Sequence, residues 1–199
     1  MARTINEKYR QEKRNNIIQV AISLFPVNGF SQTTISMIAK KAGMSTSTVL
    51  LYFPSKEDLF HCAVLESLTE LKSLFINIEP ETHDPAEQIT KMVIQHITAL
   101  SKRVPYLKLI HYVINQHERF PELTKEIFTV SEEFIEFLSL MIKKGQELEQ
   151  VKQTDARETA WAYLAYINGI SVVITEPEES PFWKGLIRQG IRIVGGNVI

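Results

Sequence analysis

One cysteine, Cys62, stands among 199 residues, which excludes a disulfide framework and a cysteine-rich metal site. The lone thiol reads as a small buried side chain. No apolar run approaches the roughly 20 residues of a membrane span, and the N-terminal MARTINEKYRQEKR lacks the apolar stretch of a signal peptide. No membrane partner is therefore expected, and with no targeting signal the cytoplasm is the default compartment. Strand-like alternation, internal repeats and low-complexity tracts are missing as well. The five histidines, His61, His83, His96, His111 and His117, include no helical i, i+4 pair, so no metal is expected. There is no G-x-S-x-G elbow, no H-E-x-x-H and no phosphate loop. The nearest acid–base candidates, His111 and His117 with Glu118, read as helix-surface or linker residues. An enzyme and a bound cofactor are both expected to be absent.

What is present is helix. Apolar residues make up 44% of the chain, enough to bury a core and too many for a disordered one. Ile17, Ala21, Leu24 and Phe25 recur at the spacing of one helix face, and Asn28-Gly29 supplies the stop. Pro26, in the last turn, should bend that helix or end it early. A short second helix follows with Thr34 as N-cap, and Gly43 ends it by allowing a left-handed backbone. Ser45 or Thr46 caps a third helix that runs to about Phe53, where Pro54 breaks it. Ser55, followed by Glu57 and Asp58, opens a fourth that ends near Asn77. Glu79 to Pro85 reads as a linker, and helices are expected at 85–102, 105–117, 121–145, 155–175 and 182–194. The fold class is all-α, with a three-helix head over residues 1–54 and a helical body over 55–199, the fourth helix linking the two.

The net charge of −1 conceals an asymmetry. Residues 1–60 carry eight bases against four acids, whereas the remainder carries fourteen bases against nineteen acids. A basic head on an acidic body suggests that the head alone meets a polyanion. The second and third helices, joined by a glycine turn, form the pattern of a helix-turn-helix, whose second helix enters the DNA major groove. Four hydroxyl residues in a row, Ser45-Thr46-Ser47-Thr48, are indifferent helix formers. On a groove-reading helix they are useful: short, uncharged, and able to donate or accept at bases and phosphates.

Residues 10–60 resemble the DNA-binding region of the tetracycline-repressor (TetR-type) family of bacterial transcription regulators. Ile17, Ala21, Leu24, Phe25, Gly29, Phe30, Thr33, Thr34, Ile38, Ala39, Ala42, Gly43, Ser45, Thr48, Tyr52, Phe53, Ser55, Lys56, Glu57 and Leu59 carry the resemblance. Beyond them the chain matches only in being helical and of suitable length. The resemblance implies DNA contacts from Thr33, Thr34, Ser45, Thr46, Ser47, Thr48, Leu51, Tyr52 and Lys56. Thr46, Ser47 and Leu51 would face the groove, and Lys56 would hold a phosphate. Ile35, Ile38, Ala39, Met44, Val49 and Phe53 would pack the head. Two positions depart from the family: Ser47 stands where glycine is frequent, and Leu50 where an aromatic reaches a phosphate. Leu51 likewise replaces an imidazole or amide. Weaker backbone anchoring, or a site rich in methyl contacts, is the expectation.

For the body the resemblance implies a homodimer on a palindromic double-stranded DNA operator and release by an unknown small-molecule effector. Leu109, Tyr112, Val113, Phe128, Phe137, Trp161 and Asn168 are the candidate effector contacts. The last two helices have apolar residues on more than one face and need a cover. Tyr163, Ile167, Ile170, Ile174, Trp183, Leu186, Ile187 and Ile191 are the candidate dimer contacts. The rival reading is a helical ligand-binding or adaptor module with weak or no specific DNA binding.

Overall fold

The structure, a computed structural model, describes residues 2–76, 84–173, 177 and 179–196. Among these residues every regular element is a helix. The helices are α1 (Ala2–Gln32), α2 (Ile35–Ala42), α3 (Thr46–Tyr52), α4 (Lys56–Ile76), α5 (Pro85–Lys102), α6 (Val104–Asn115), α7 (Pro121–Glu147), α8 (Ala156–Val173) and α9 (Phe182–Ile193). The all-α class and nearly all the expected helix limits are met. Much of the linker at 79–85 lies outside the described residues.

Local chemistry explains the boundaries. The α1 helix continues past Pro26 and breaks at Gly29, at φ 77° and ψ 158°. Proline leaves one carbonyl, that of Ile22, without its helical N–H and does not end the helix, and Asn28 Nδ2 donates to the Leu24 carbonyl at 3.1 Å. Only glycine adopts the Gly29 conformation readily, and that position is where the chain can change direction. Asp84 caps α5 by accepting from Glu87 N–H at 2.9 Å, with Pro85 in the first turn, where its missing N–H costs nothing. The α7 helix runs through Gly145 to Glu147, two residues beyond the expected stop.

The chain divides into two compact units, one of residues 1–67 with 108–124, the other of 68–107 with 125–199. In the first, α1 packs on α2 and α2 on α3. Its core holds Ile17, Ala21, Phe25, Ile38, Ala39, Val49 and Phe53, while Leu24, Ile35 and Met44, also expected there, are half-buried. Phe25 meets Phe60 edge-on at 4.8 Å, and Phe60 lies 4.7 Å from Phe120. In the second, α9 packs on α5 and α8. A Cβ at Gly190 would stand 2.8 Å from Val93, so that glycine is what lets α9 lie so close to α5. Within this core, Tyr163 Oη lies 3.2 Å from His96 Nδ1. Burial pushes the Tyr163 phenol far above the ordinary tyrosine value.

Candidate nucleic-acid interface

The turn between α2 and α3 is assembled from backbone needs met one at a time. Thr34 Oγ1 accepts from Met37 N–H at 3.2 Å and starts α2. Gly43 ends it in the left-handed region, φ 69° and ψ 35°, with Met44 N–H reaching back to the Ala39 carbonyl at 2.9 Å. Asn16, on α1, donates to the otherwise open carbonyl of Ala42 at 3.2 Å. Ser45 then caps α3 by accepting from Thr48 N–H at 3.1 Å, and its hydroxyl also bonds those of Ser47 and Thr48 at 2.9 and 2.8 Å. The hydroxyl run is thus half cap and half surface.

Seven residues make α3, and they divide cleanly by face. Val49 is buried and Phe53, its C-cap, lies in the core. Thr46, Ser47, Leu50 and Leu51 are exposed, while Thr48 and Tyr52 are half-buried. Since residues four apart lie over one another, Thr46 with Leu50 and Ser47 with Leu51 form one outward face. The three residues expected to face a groove are therefore all on the surface of the chain.

One expected contact needs correction, and another is engaged within the chain. Thr33 has no exposed surface, and its Oγ1 donates to the Gly29 carbonyl at 2.8 Å. The break at Gly29 leaves that carbonyl in need of a donor, and Thr33 N–H also reaches it, at 3.1 Å. Thr33 secures the turn and offers DNA nothing. Lys56 is half-buried, and its Nζ donates to the Phe30 carbonyl at 2.8 Å and lies 3.5 Å from that of Ser31. The same ammonium sits 4.4 Å over the Phe30 ring. It is engaged with the turn. The amide of the same residue is held as well, because Phe30 N–H donates to Tyr112 Oη at 2.8 Å. The segment of chain leading into α2 is therefore gripped by α4 and α6 together.

Arg14, one of the bases counted toward the head, is also committed. Its guanidinium pairs with Glu66, lies 3.8 Å from the Cys62 sulfur and stacks 5.2 Å from the Phe53 ring. Cys62 is half-buried, and burial raises its thiol above the ordinary cysteine value, against the lowering influence of Arg14. It is a packing residue without thiolate character.

The candidate effector contacts are divided between the two units. Leu109 and Val113 are fully buried and Tyr112 holds Phe30, all in the first unit. Phe128, Phe137, Trp161 and Asn168 belong to the second. There Phe128 and Trp161 are exposed, at 54% and 45%, Asn168 is half-buried and has a partner, and Phe137 lines a shallow groove with Leu140 and Lys144. The first unit holds a cavity of about 410 Å³ that the sequence did not reveal. Phe30, Phe60 and Phe120 form its aromatic wall, and Arg119 lies over the Phe30 and Phe120 rings at 5.0 and 5.4 Å. Three phenylalanines thirty and sixty residues apart give no local signal of their meeting.

The candidate dimer contacts need a similar correction. Tyr163, Ile167, Ile170, Trp183 and Ile191 are buried within the single chain, and Leu186 and Ile187 are half-buried. Ile174 lies outside the described residues. The core stripe of α8 is Ala160, Tyr163, Leu164, Ile167 and Ile170, and the exposed side carries Trp161, Ala162, Ala165 and Gly169. Both sides are apolar, so composition could not tell which one faced inward.

An exposed, capped helix behind a glycine turn, set on an all-helical scaffold, defines a helix-turn-helix DNA-binding regulator. Residues 17–63 match the family model of the bacterial regulatory proteins, tetR family. The fatty acid metabolism regulator protein of Bacillus subtilis (strain 168) is 23% identical over 146 residues, 73% of this chain and 74% of that protein. The crystal structure of the TetR family regulator PfmR from Thermus thermophilus matches with a TM-score of 0.75 at 20% identity, over 90% of this chain and 97% of that one. That of AibR in complex with isovaleryl coenzyme A and operator DNA matches at 0.70 and 15%, over 92% and 98%. Residues 17–63 thus carry a tetR-family helix-turn-helix domain, and the helical fold is shared with TetR-family transcriptional regulators. No described helix is long and apolar enough to cross a membrane.

Proposed function

We propose that the protein is a homodimeric repressor that binds a palindromic operator and is released from it by a small-molecule effector. The observation that carries this reading is the outward face of α3. A helix of only seven residues is capped, anchored by Val49 and Phe53, and left with Thr46, Ser47, Leu50 and Leu51 uncovered. The head over residues 1–54 reads the duplex. The body over 55–199 receives the effector and pairs with its copy.

Pairing is needed because two heads must meet successive major grooves, about 34–36 Å apart. The face that suits pairing is the exposed side of α8, where Trp161, Ala165 and Gly169 follow one another at four-residue spacing. Small residues there admit a close helix–helix approach, and a Cβ at Gly169 would meet nothing within 4 Å in the single chain. An effector acts by favouring a head spacing unsuited to the operator, through coupling of about 1–3 kcal/mol. The names of the Bacillus subtilis relative and of the AibR complex make acyl thioesters the first effector class to screen.

The test is a mobility-shift series on the DNA upstream of the gene, across salt concentrations and with candidate acyl thioesters. Specific binding that weakens with salt supports the reader, and weakening by one thioester supports the switch. Affinity unmoved by any effector removes the switch, and a monomer at micromolar concentration in light scattering removes the dimer.

A further inference from the structure

We infer that Leu50 and Leu51 read the C5-methyl groups of thymines, so that the operator half-site is selected for the methyls themselves. The inference rests on α3 being the DNA-reading helix. Leu51 is 83% exposed and Leu50 41%. Val49 and Phe53 already supply the apolar anchors of the helix, so the leucines are not there to hold it in place. They stand one turn beyond Ser47 and Thr46 on the same face, so a duplex met by the hydroxyls meets the leucines too.

A leucine can neither donate nor accept a hydrogen bond, so it can read no polar group on a base edge and hold no phosphate. The major groove presents one apolar group, the thymine methyl, and contact with it is how apolar side chains distinguish bases. The α3 helix contains no charged residue, so its outward face splits into a hydroxyl turn and an apolar turn. The apolar turn has only methyl groups to recognise. Covering so much exposed leucine also removes apolar surface from water, which favours the complex.

Deoxyuridine tests this directly, since it keeps the pairing and the O4 acceptor of thymidine and lacks only the methyl. Duplexes bound by the full-length protein are first selected from a random pool. Each thymine of the chosen sequence is then replaced singly by deoxyuridine, and Kd is measured by fluorescence anisotropy at fixed salt. We expect one or two positions per half-site at which the replacement weakens binding about fourfold, the value of one buried methyl. In Leu50→Ala or Leu51→Ala the penalty at one of those positions should vanish. Both side chains are exposed, so the variants should melt as the parent does. Specific binding insensitive to deoxyuridine everywhere overturns the inference alone, as do penalties that persist in both variants. Failure to select any duplex overturns the DNA-reading assignment and takes the inference with it.

Discussion

Lys56→Met separates two roles that make opposite demands. The substitution keeps a long flexible stem and deletes the ammonium. If the contact at 2.8 Å with the Phe30 carbonyl is what Lys56 is for, the variant loses one charge-assisted hydrogen bond and a cation–π contact at 4.4 Å. Such a bond contributes about 1.5–3 kcal/mol and the ring contact about 0.5–1 kcal/mol at an accessible site. Lys56 is half-buried, so the lower parts of both ranges apply, and a loss of about 2 kcal/mol is expected. For a chain of this size that corresponds to a fall in Tm of about 4–8 °C. The slope of log affinity against log salt should stay as it is, because no phosphate contact has been removed. A phosphate-holding lysine would behave in the reverse way, with Tm unchanged and the slope reduced by about 0.9 per head. Differential scanning calorimetry and anisotropy titrations across a salt series measure the two quantities on one preparation. A reduced slope with an unaltered melt would refute the assignment of Lys56 to the turn.

Gly29→Ala should cost about 1–3 kcal/mol, although the nearest atom to the added Cβ, Tyr112 Oη, is 3.7 Å away, because the backbone and not the space is limiting. A thermal melt within about 1 °C of the parent would contradict it. Ala165→Arg should leave the fold intact, since Ala165 is exposed, and convert dimer to monomer in sedimentation; an intact dimer would place the pairing face elsewhere. Tyr163 tests the buried phenol through pH. Its pKa is raised on folding from the ordinary 10.0, so above that pH the unfolded chain releases a proton that the folded chain keeps. The stabilising contribution is present below about pH 10 and is lost above it at about 1.4 kcal/mol per unit. Chemical denaturation at pH 9, 10 and 11 should show a shallower alkaline decline in Tyr163→Phe, and identical slopes would reject the burial argument.

The parts of the fold legible in the sequence are those written within four residues of themselves. Thr34 and Ser45 cap their helices through hydroxyl oxygens only three positions from the N–H they accept, and Gly43 meets a left-handed requirement by itself. The outward face of α3 is legible through the family resemblance, with Val49 and Phe53 turned inward opposite it. The burial of Thr33 is not legible, because it follows from the break at Gly29, which turns a hydroxyl that looks like a surface cap toward a carbonyl behind it. The engagement of Lys56 is hidden because its partner lies twenty-six residues away, at a carbonyl no sequence pattern marks. On α8 two apolar faces compete, and the inward one carries Tyr163, whose hydroxyl meets His96 across sixty-seven residues.

Arg14 carries a consequence for how strongly the head can attract a polyanion. With its guanidinium taken up by Glu66 and the Phe53 ring, the head presents less free positive charge than its composition implies. Attraction to arbitrary duplex scales with the number of phosphates neutralised. One committed guanidinium can lower the slope of log affinity against log salt by about 0.9 per head at most.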